Sequence, residues 1–217
     1  PCETRPPPSR SARRPVILVP GWLGRYEDMI PLRERLIRDG WPEDEIFPME
    51  FRDPVGSSIV HAAELEAVID SALATSSARQ VDVVAHSMGG LAVWVLLQEK
   101  GRTIPIHRVV FLATPFQGTV TAHLAWGGGG PEMIPGSDFL EGLQEGGWPH
   151  RWVSTLAIRT PLDLTVVPSD GATMLGARDR VVCCPTHQGL LDHEETFGVI
   201  RDFLMYGRTS GSPRPGP

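Results

Sequence analysis

The chain has 217 residues, 41% of them apolar, and a formal charge of −6. That length fits one domain with a sizeable core, and the acidic balance excludes a broad basic face for nucleic-acid phosphates. Its longest apolar stretches, 16–19 and 104–113, fall far short of the roughly 20 residues a membrane-spanning helix needs.

The first 14 residues, PCETRPPPSRSARR, are rich in Pro and Arg, show no periodicity and predict a flexible arm. From Pro15 onward strand and helix signals alternate. VILVP (16–20) reads as a buried strand, and Met29, Leu32 and Leu36 then recur at helical spacing up to a stop at Gly40. EIFPMEF (45–51) is the second strand, followed by a helix carrying Ile59, Ala62, Leu65, Ile69 and Leu73 inward. VDVVAH (81–86) leads into a helix with Leu91, Val95 and Gln98, and IHRVVFLA (106–113), VSTLAI (153–158) and RVVCC (180–184) complete the strands. The last helix starts at DHEE, where Asp192 and Glu195 have capping-box spacing, and turns Phe197, Ile200 and Leu204 inward. Alternation of this kind predicts an α/β fold, one domain over 15–206 with a mostly parallel sheet of about six strands flanked by helices.

The interval 115–149 is long, rich in Gly and Pro, and contains WGGGG; a loop of that length is usually functional or mobile. GRTSGSPRPGP (207–217) predicts a flexible tail. Of the three cysteines, Cys183 and Cys184 are expected as free thiols, or one of them paired with Cys2, because adjacent cysteines rarely bridge. None has metal-ligand spacing with a histidine, so no metal or other cofactor is expected.

The run VDVVAH breaks on Ser87 and resumes as the helical pattern GGLAVW. A serine hydroxyl is a poor nucleophile near neutral pH and needs an imidazole base that is itself oriented by a third group. A tight strand-to-helix turn lifts the Oγ clear of the sheet, and its crowded backbone tolerates only small neighbours. Here that signature reads Ala85-His86-Ser87-Met88-Gly89, between an apolar strand and a helix. That context favours a nucleophile over the plainer reading, a serine that caps a helix.

The partners should follow in the order acid then histidine, each in a loop after a strand. His187, in CCPTHQGLLDHEE, lies past the last strand, where a base can reach back over the sheet edge. His193 falls in a helix cap, His150 in the 115–149 interval, and His123 and His61 read as surface or packing residues. Asp163, in AIRTPLDLTVVPSDG, directly follows a strand and is preferred as the acid; Asp170 reads as a turn residue, and Asp138 is weaker still. The anionic intermediate needs donors worth about 3 to 4 kcal/mol each. The Met88 N–H at the helix amino end is one, and the Trp22 N–H in VPGWLG, aimed inward by the turn at Gly21, is the other. Leu23, Phe116, Trp126 and Ile134, with Leu124 and Met133, are candidates for an acyl pocket, and each could equally be core.

At these residues the chain resembles the α/β-hydrolase family, most closely its compact bacterial lipases without a large lid. AHSMGG stands at 85–90, and the likeness continues through PVILVPGWLG, LIRDGWPEDEIFPMEF, IHRVVFLATPFQGT, MIPGSDFL, TPLDLTVVP and THQGLLDHEETFGVIRDFL, nearly all of 15–204. The resemblance implies the minimal α/β-hydrolase fold with Ser87 as nucleophile, Asp163 as acid, His187 as base, and Trp22 and Met88 as oxyanion donors. Two departures stand out: Pro20-Gly21 replaces the usual His-Gly of the oxyanion loop, and 115–149 is longer, which suggests a flap carrying Trp126 over the pocket. The implied activity is hydrolysis of carboxylic esters by a lipase that works without cofactor, has no transmembrane segment and touches a lipid interface transiently. The alternatives are a short-chain carboxylesterase or polyester hydrolase, an acyltransferase, or a catalytically dead binding module on the same scaffold. A chain that starts at Pro1 without an initiating methionine is expected to be a processed, secreted product.

Overall fold

The computed structural model describes residues 13–207. Within them all six expected strands form: β1 (Val16–Val19), β2 (Ile46–Pro48), β3 (Val81–His86), β4 (Ile106–Leu112), β5 (Ser154–Arg159) and β6 (Asp179–Val181). They pair in parallel throughout, in the order β2-β1-β3-β4-β5-β6. The edge strands are shorter than their apolar runs. β2 stops at Pro48, which has no N–H to give a ladder.

Strand order reverses between β1 and β3, so the loops that leave their carboxyl ends diverge and open a crevice. In open α/β sheets that is where ligands bind.

Both sheet faces are covered, as continuous apolar strands require. Ile17, Val19, Val83, Ala85, Val109 and Phe111 face α2 (Ser58–Thr75) and α3 (Gly89–Lys100). Val16, Leu18, Val84, Val110, Leu112 and Ile158 pack against α1 (Ile30–Arg38) and the C-terminal α6 (Glu194–Tyr206). Helix α3 is buried from Gly89 to Leu97, and Gln98 anchors its far end by donating to the Gly147 carbonyl at 2.9 Å. Helix α1 ends where expected, at Gly40 with φ +95°.

Two helix expectations are corrected. The buried stripe of α2 runs through Ser58, His61, Ala62, Leu65, Ile69 and Ala72, which turns Ile59 outward and leaves it 55% exposed. The capping box at DHEE does not form: His193 is the N-cap with no side-chain cap bond, because Asp192 is 3.0 Å from Arg35 and Glu195 is 3.5 Å from Arg180. Ile200 and Leu204 are buried as expected, and Phe197 partly so.

The interval 115–149 is folded. It holds a 3-10 turn (Val120–Leu124), α4 (Gly129–Glu132) and α5 (Asp138–Gly146), whose cap Ser137 accepts from Leu140 N. Its Leu140 and Leu143 are buried in the same core cluster as α3, and Trp148 stacks on Trp94 at 4.8 Å.

Of the expected arms at 1–14 and 207–217, all but Arg13, Arg14 and Gly207 lie outside the described residues. Arg13 donates to the Asp39 carbonyl at 2.6 Å and lies over the Trp41 ring. Cys2 also lies outside them. The expectation for the other two cysteines is corrected: Cys183 and Cys184 form a disulfide with each other across a cis peptide bond, which brings their Cα atoms to 3.0 Å. No helix of the described residues is long and apolar enough to cross a membrane.

Candidate active site

Ser87 sits at the turn from β3 into α3 with φ +52°, a left-handed backbone that a non-glycine residue holds at a cost of order 1–3 kcal/mol. The surroundings enforce it. Ser87 N–H donates to the Leu112 carbonyl at 2.8 Å, and the Ser87 carbonyl accepts from Gly90 N at 3.0 Å. The small neighbours read from the sequence are a steric necessity. A Cβ on Gly89 would lie 2.2 Å from the Pro20 carbonyl oxygen, and one on Gly90 would lie 2.0 Å from Thr114 Oγ1. Ser87 is thereby held at the sheet rim, on the wall of the crevice.

His187 leaves the β6 loop as the residue before the 3-10 turn Gln188–Leu191, and Asp163 leaves the loop after β5. The chain separates them by 24 residues, yet His187 Nδ1–H donates to Asp163 Oδ2 at 2.8 Å. Because a carboxylate only accepts, this bond puts the proton on Nδ1 and leaves Nε2 of the neutral ring as an acceptor. The other carboxylate oxygen takes backbone N–H groups from Thr165 at 2.9 Å and Val166 at 2.7 Å. Burial pushes the Asp163 carboxyl up. The hydrogen bond and charge of His187, with those two N–H groups, outweigh it and hold the carboxyl below its ordinary value. Asp170 is exposed on a separate 3-10 turn and Asp138 begins α5, so neither meets the imidazole. His61 is buried against Phe51, His193 caps α6, and His150 lies in a 3-10 turn. Ser87 and His187 line one cavity, and among the described residues neither the Ser87 hydroxyl nor His187 Nε2 has a hydrogen-bond partner.

His86, one residue before the serine, was not singled out by the sequence. It is buried, its ring is 4.6 Å from that of His187, and its Nε2–H donates to the His187 carbonyl at 3.2 Å. Burial, with the neighbouring His187 next, lowers its pKa to about 3, so it is neutral and adds no charge beside the base.

On the opposite wall, the loop after β1 turns through Leu23 at φ +56°, fixed by Leu23 N–H to the Pro54 carbonyl at 2.9 Å and Gly24 N–H to the Gly21 carbonyl at 3.0 Å. Gly21 backs directly on the serine, since a Cβ there would lie 2.8 Å from Ser87 Cβ. Among the described residues no protein acceptor takes the backbone N–H of Trp22 or of Met88.

The cavity encloses about 520 Å³ and is walled by Trp22, Leu23, Leu124, Trp126, Met133, Leu164 and Val166, with Thr119 and Thr121 as its polar edge. Leu124 and Leu164 are 84% and 82% exposed at its mouth. Leu23 and Trp126 thus lie where a substrate-pocket role needs them. Phe116 and Ile134 do not. Phe116 is fully buried among Trp94, Phe111 and Trp148, and Ile134 packs against the same core cluster. Leu164 and Val166 were missed, although they flank the acid in TPLDLTVVP, where apolar residues outside a strand are a usable signal.

A family model described as "LCAT: Lecithin:cholesterol acyltransferase" matches residues 57–135, from the start of α2 through the serine turn into the insertion. Among solved structures, lipase B of Aspergillus fumigatus is similar at 17% identity and a TM-score of 0.75. The match covers 96% of this chain, and the chain spans only 55% of that one. The mature form of lipase BlEst2 from Bacillus licheniformis is similar at 16% identity and a TM-score of 0.74, covering 94% of this chain and 96% of that one. Phospholipase PlaB from Legionella pneumophila matches over 66% of this chain and 36% of its own, at 20% identity and a TM-score of 0.57. At such identities the likeness is one of fold. The chain has the α/β-hydrolase fold, with its six-stranded parallel sheet and flanking helices.

Proposed function

We propose that the chain is a serine hydrolase of carboxylic esters, most simply a lipase. The observation that carries this reading is the 2.8 Å bond from His187 Nδ1 to Asp163, which leaves Nε2 as an acceptor in the cavity that Ser87 also lines. His187 takes the proton from Ser87 Oγ as that oxygen attacks the ester carbonyl, and Asp163 stabilises the imidazolium that forms. The oxyanion is received by the Trp22 and Met88 N–H groups, the latter at the positive end of α3. Return of the proton to the departing alcohol leaves an acyl-serine, and water activated by the same imidazole releases the acid. No other group is required for the chemistry.

The apolar cavity and its exposed leucines support a substrate with an acyl chain, presented at a lipid surface, since apolar binding scales with the area removed from water. A fluorophosphonate probe is expected to label Ser87, and Ser87→Ala to abolish both labelling and hydrolysis of p-nitrophenyl esters; retained turnover in that variant defeats the proposal. Activity is expected to extend to long acyl chains, and restriction to acetate and butyrate would reduce the reading to a short-chain esterase. The family match over 57–135 favours one second reading, transfer of the acyl group to an alcohol in place of water. Ester products formed when alcohol is added would identify it.

A further inference from the structure

Beyond the cavity wall that Trp126 supplies, the WGGGG run has no place in the mechanism above, yet it touches both donor residues of the oxyanion site. We propose that residues 126–130 are a positioning element for the oxyanion hole, a backbone buttress that sets where the Trp22 and Met88 N–H groups point. The inference rests on the ester-hydrolase reading.

Three sets of contacts carry it, to Trp22, to Met88 and to 55–57. The Trp22 indole N–H donates to the Trp126 carbonyl at 3.1 Å, and the two rings meet edge to face at 4.7 Å, so the run grips the oxyanion loop by its side chain. Three residues on, Gly129 lies against the other donor residue, for a Cβ placed there would be 2.4 Å from Met88 Sδ and 2.7 Å from the Gly56 carbonyl oxygen. The run is itself seated on 55–57. Gly129 N–H donates to the Val55 carbonyl at 3.0 Å, a Cβ on Gly127 would lie 2.3 Å from that same oxygen, and one on Gly128 would lie 2.9 Å from Ser57 N. The adjoining Pro54 carbonyl holds Leu23 N–H. One strip of backbone, 54–57, thus holds both the oxyanion loop, through Leu23, and the glycine run. Glu132 fastens the assembly at its far end, accepting from Ser58 N at 2.7 Å and from the Ser57 hydroxyl. Glycine is needed at 127, 128 and 129 because a Cβ at each would meet backbone of 55–57 within 3 Å.

Trp22→Phe removes the indole N–H and keeps an aromatic ring; Gly129→Ala pushes on the Gly56 carbonyl and on the buried side chain of Met88. An oxyanion donor displaced by a fraction of an ångström loses transition-state stabilisation and little substrate binding. Both variants are therefore expected to lower kcat for p-nitrophenyl butyrate about 10-fold with KM changed less than twofold. The Ki of phenylboronic acid, which forms a tetrahedral adduct on the serine, should rise by the same factor. Gly142→Ala in α5, whose new methyl meets open space, should leave all three values unchanged. The proposal is overturned if both variants keep kcat and Ki within twofold, or if kcat falls while the boronate Ki stays. Should Gly129→Ala fail to fold, Trp22→Phe alone decides on the same criteria. Absence of fluorophosphonate labelling in the unaltered protein would instead fell the hydrolase reading; labelling with insensitive variants would fell this inference alone.

Discussion

The imidazole side of the cavity and its oxyanion side are held by different forces. On the first, side chains are wired by polar bonds: His187 to Asp163, Asp163 to two backbone N–H groups, His86 to the His187 carbonyl. On the second, glycine backbone is wedged against its neighbours, through Gly21 on the Ser87 side chain, Gly89 on the Pro20 carbonyl and Gly129 on the Gly56 carbonyl. The difference teaches that the two walls should fail differently. The polar wall should be sensitive to hydrogen-bond chemistry and pH, the packed wall to added volume.

The largest effect is expected from Asp163→Asn, which keeps the volume and replaces the carboxylate acceptor. An amide NH₂ facing Nδ1 favours the wrong tautomer, and in a serine triad that costs about 10⁴-fold in kcat. The measurement is turnover of p-nitrophenyl butyrate, with fluorophosphonate labelling slowed in proportion. Near-normal turnover would break the contrast at once, since the polar wall would then not depend on its central bond.

Acid should also act on the polar wall. Asp163 has a folded pKa below its unfolded value, so its contribution to stability is present above that unfolded value and is lost as pH falls through the folded one. His86 is shifted the same way, from 6.5 to about 3, because burial disfavours its charge. Its contribution is complete above pH 6.5 and drains as pH falls toward 3, at up to about 1.4 kcal/mol per pH unit for the one proton. Urea unfolding at pH 7, 5.5 and 4.5 should show that decline, and His86→Asn should flatten it. An unchanged slope in the variant would mean that His86 takes its proton in the folded protein.

The packed wall was hard to read from sequence for a physical reason. Composition gives a glycine's freedom and not its neighbours, so WGGGG reads only as part of a functional or mobile loop, although three of its glycines abut 55–57 or Met88. The polar wall was more legible because its signals are local: apolar runs mark buried parallel strands, and Ser87, Asp163 and His187 all follow such runs. Phe116 and Ile134 mark the limit. An apolar residue in a loop can turn toward a cavity or toward the core, and only the rings of Trp94, Phe111 and Trp148 around Phe116 decide for it. His86 escaped notice because its bond reaches a backbone carbonyl 101 residues away, which no spacing reveals.

Gly90→Ala probes the packed wall while keeping every side-chain bond of the triad and the Gly90 N–H that donates to the Ser87 carbonyl. Its methyl would meet Thr114 Oγ1 at 2.0 Å in the buried part of α3, and overpacking of this kind costs about 1–3 kcal/mol. The expected result is a lower urea midpoint at every pH, with a pH slope parallel to that of the unaltered protein. A slope that changed with the methyl would show that the two walls are coupled.

Asp170→Asn should do least. Asp170 is in the same loop as Asp163 and is the other carboxylate that could serve the imidazole, but it is exposed, and its carbonyl merely closes a turn to Thr173 N at 2.8 Å. Exposed substitutions away from buried networks stay within about 0.5 kcal/mol, so both kcat and the urea midpoint should be nearly unchanged. What distinguishes the two aspartates is enclosure. Asp163 is buried where two backbone N–H groups and the imidazole converge, while solvent surrounds Asp170. A large loss of kcat in Asp170→Asn, with little in Asp163→Asn, would hand the orienting role to the exposed carboxylate and require the β5–β6 loop to rearrange when substrate binds.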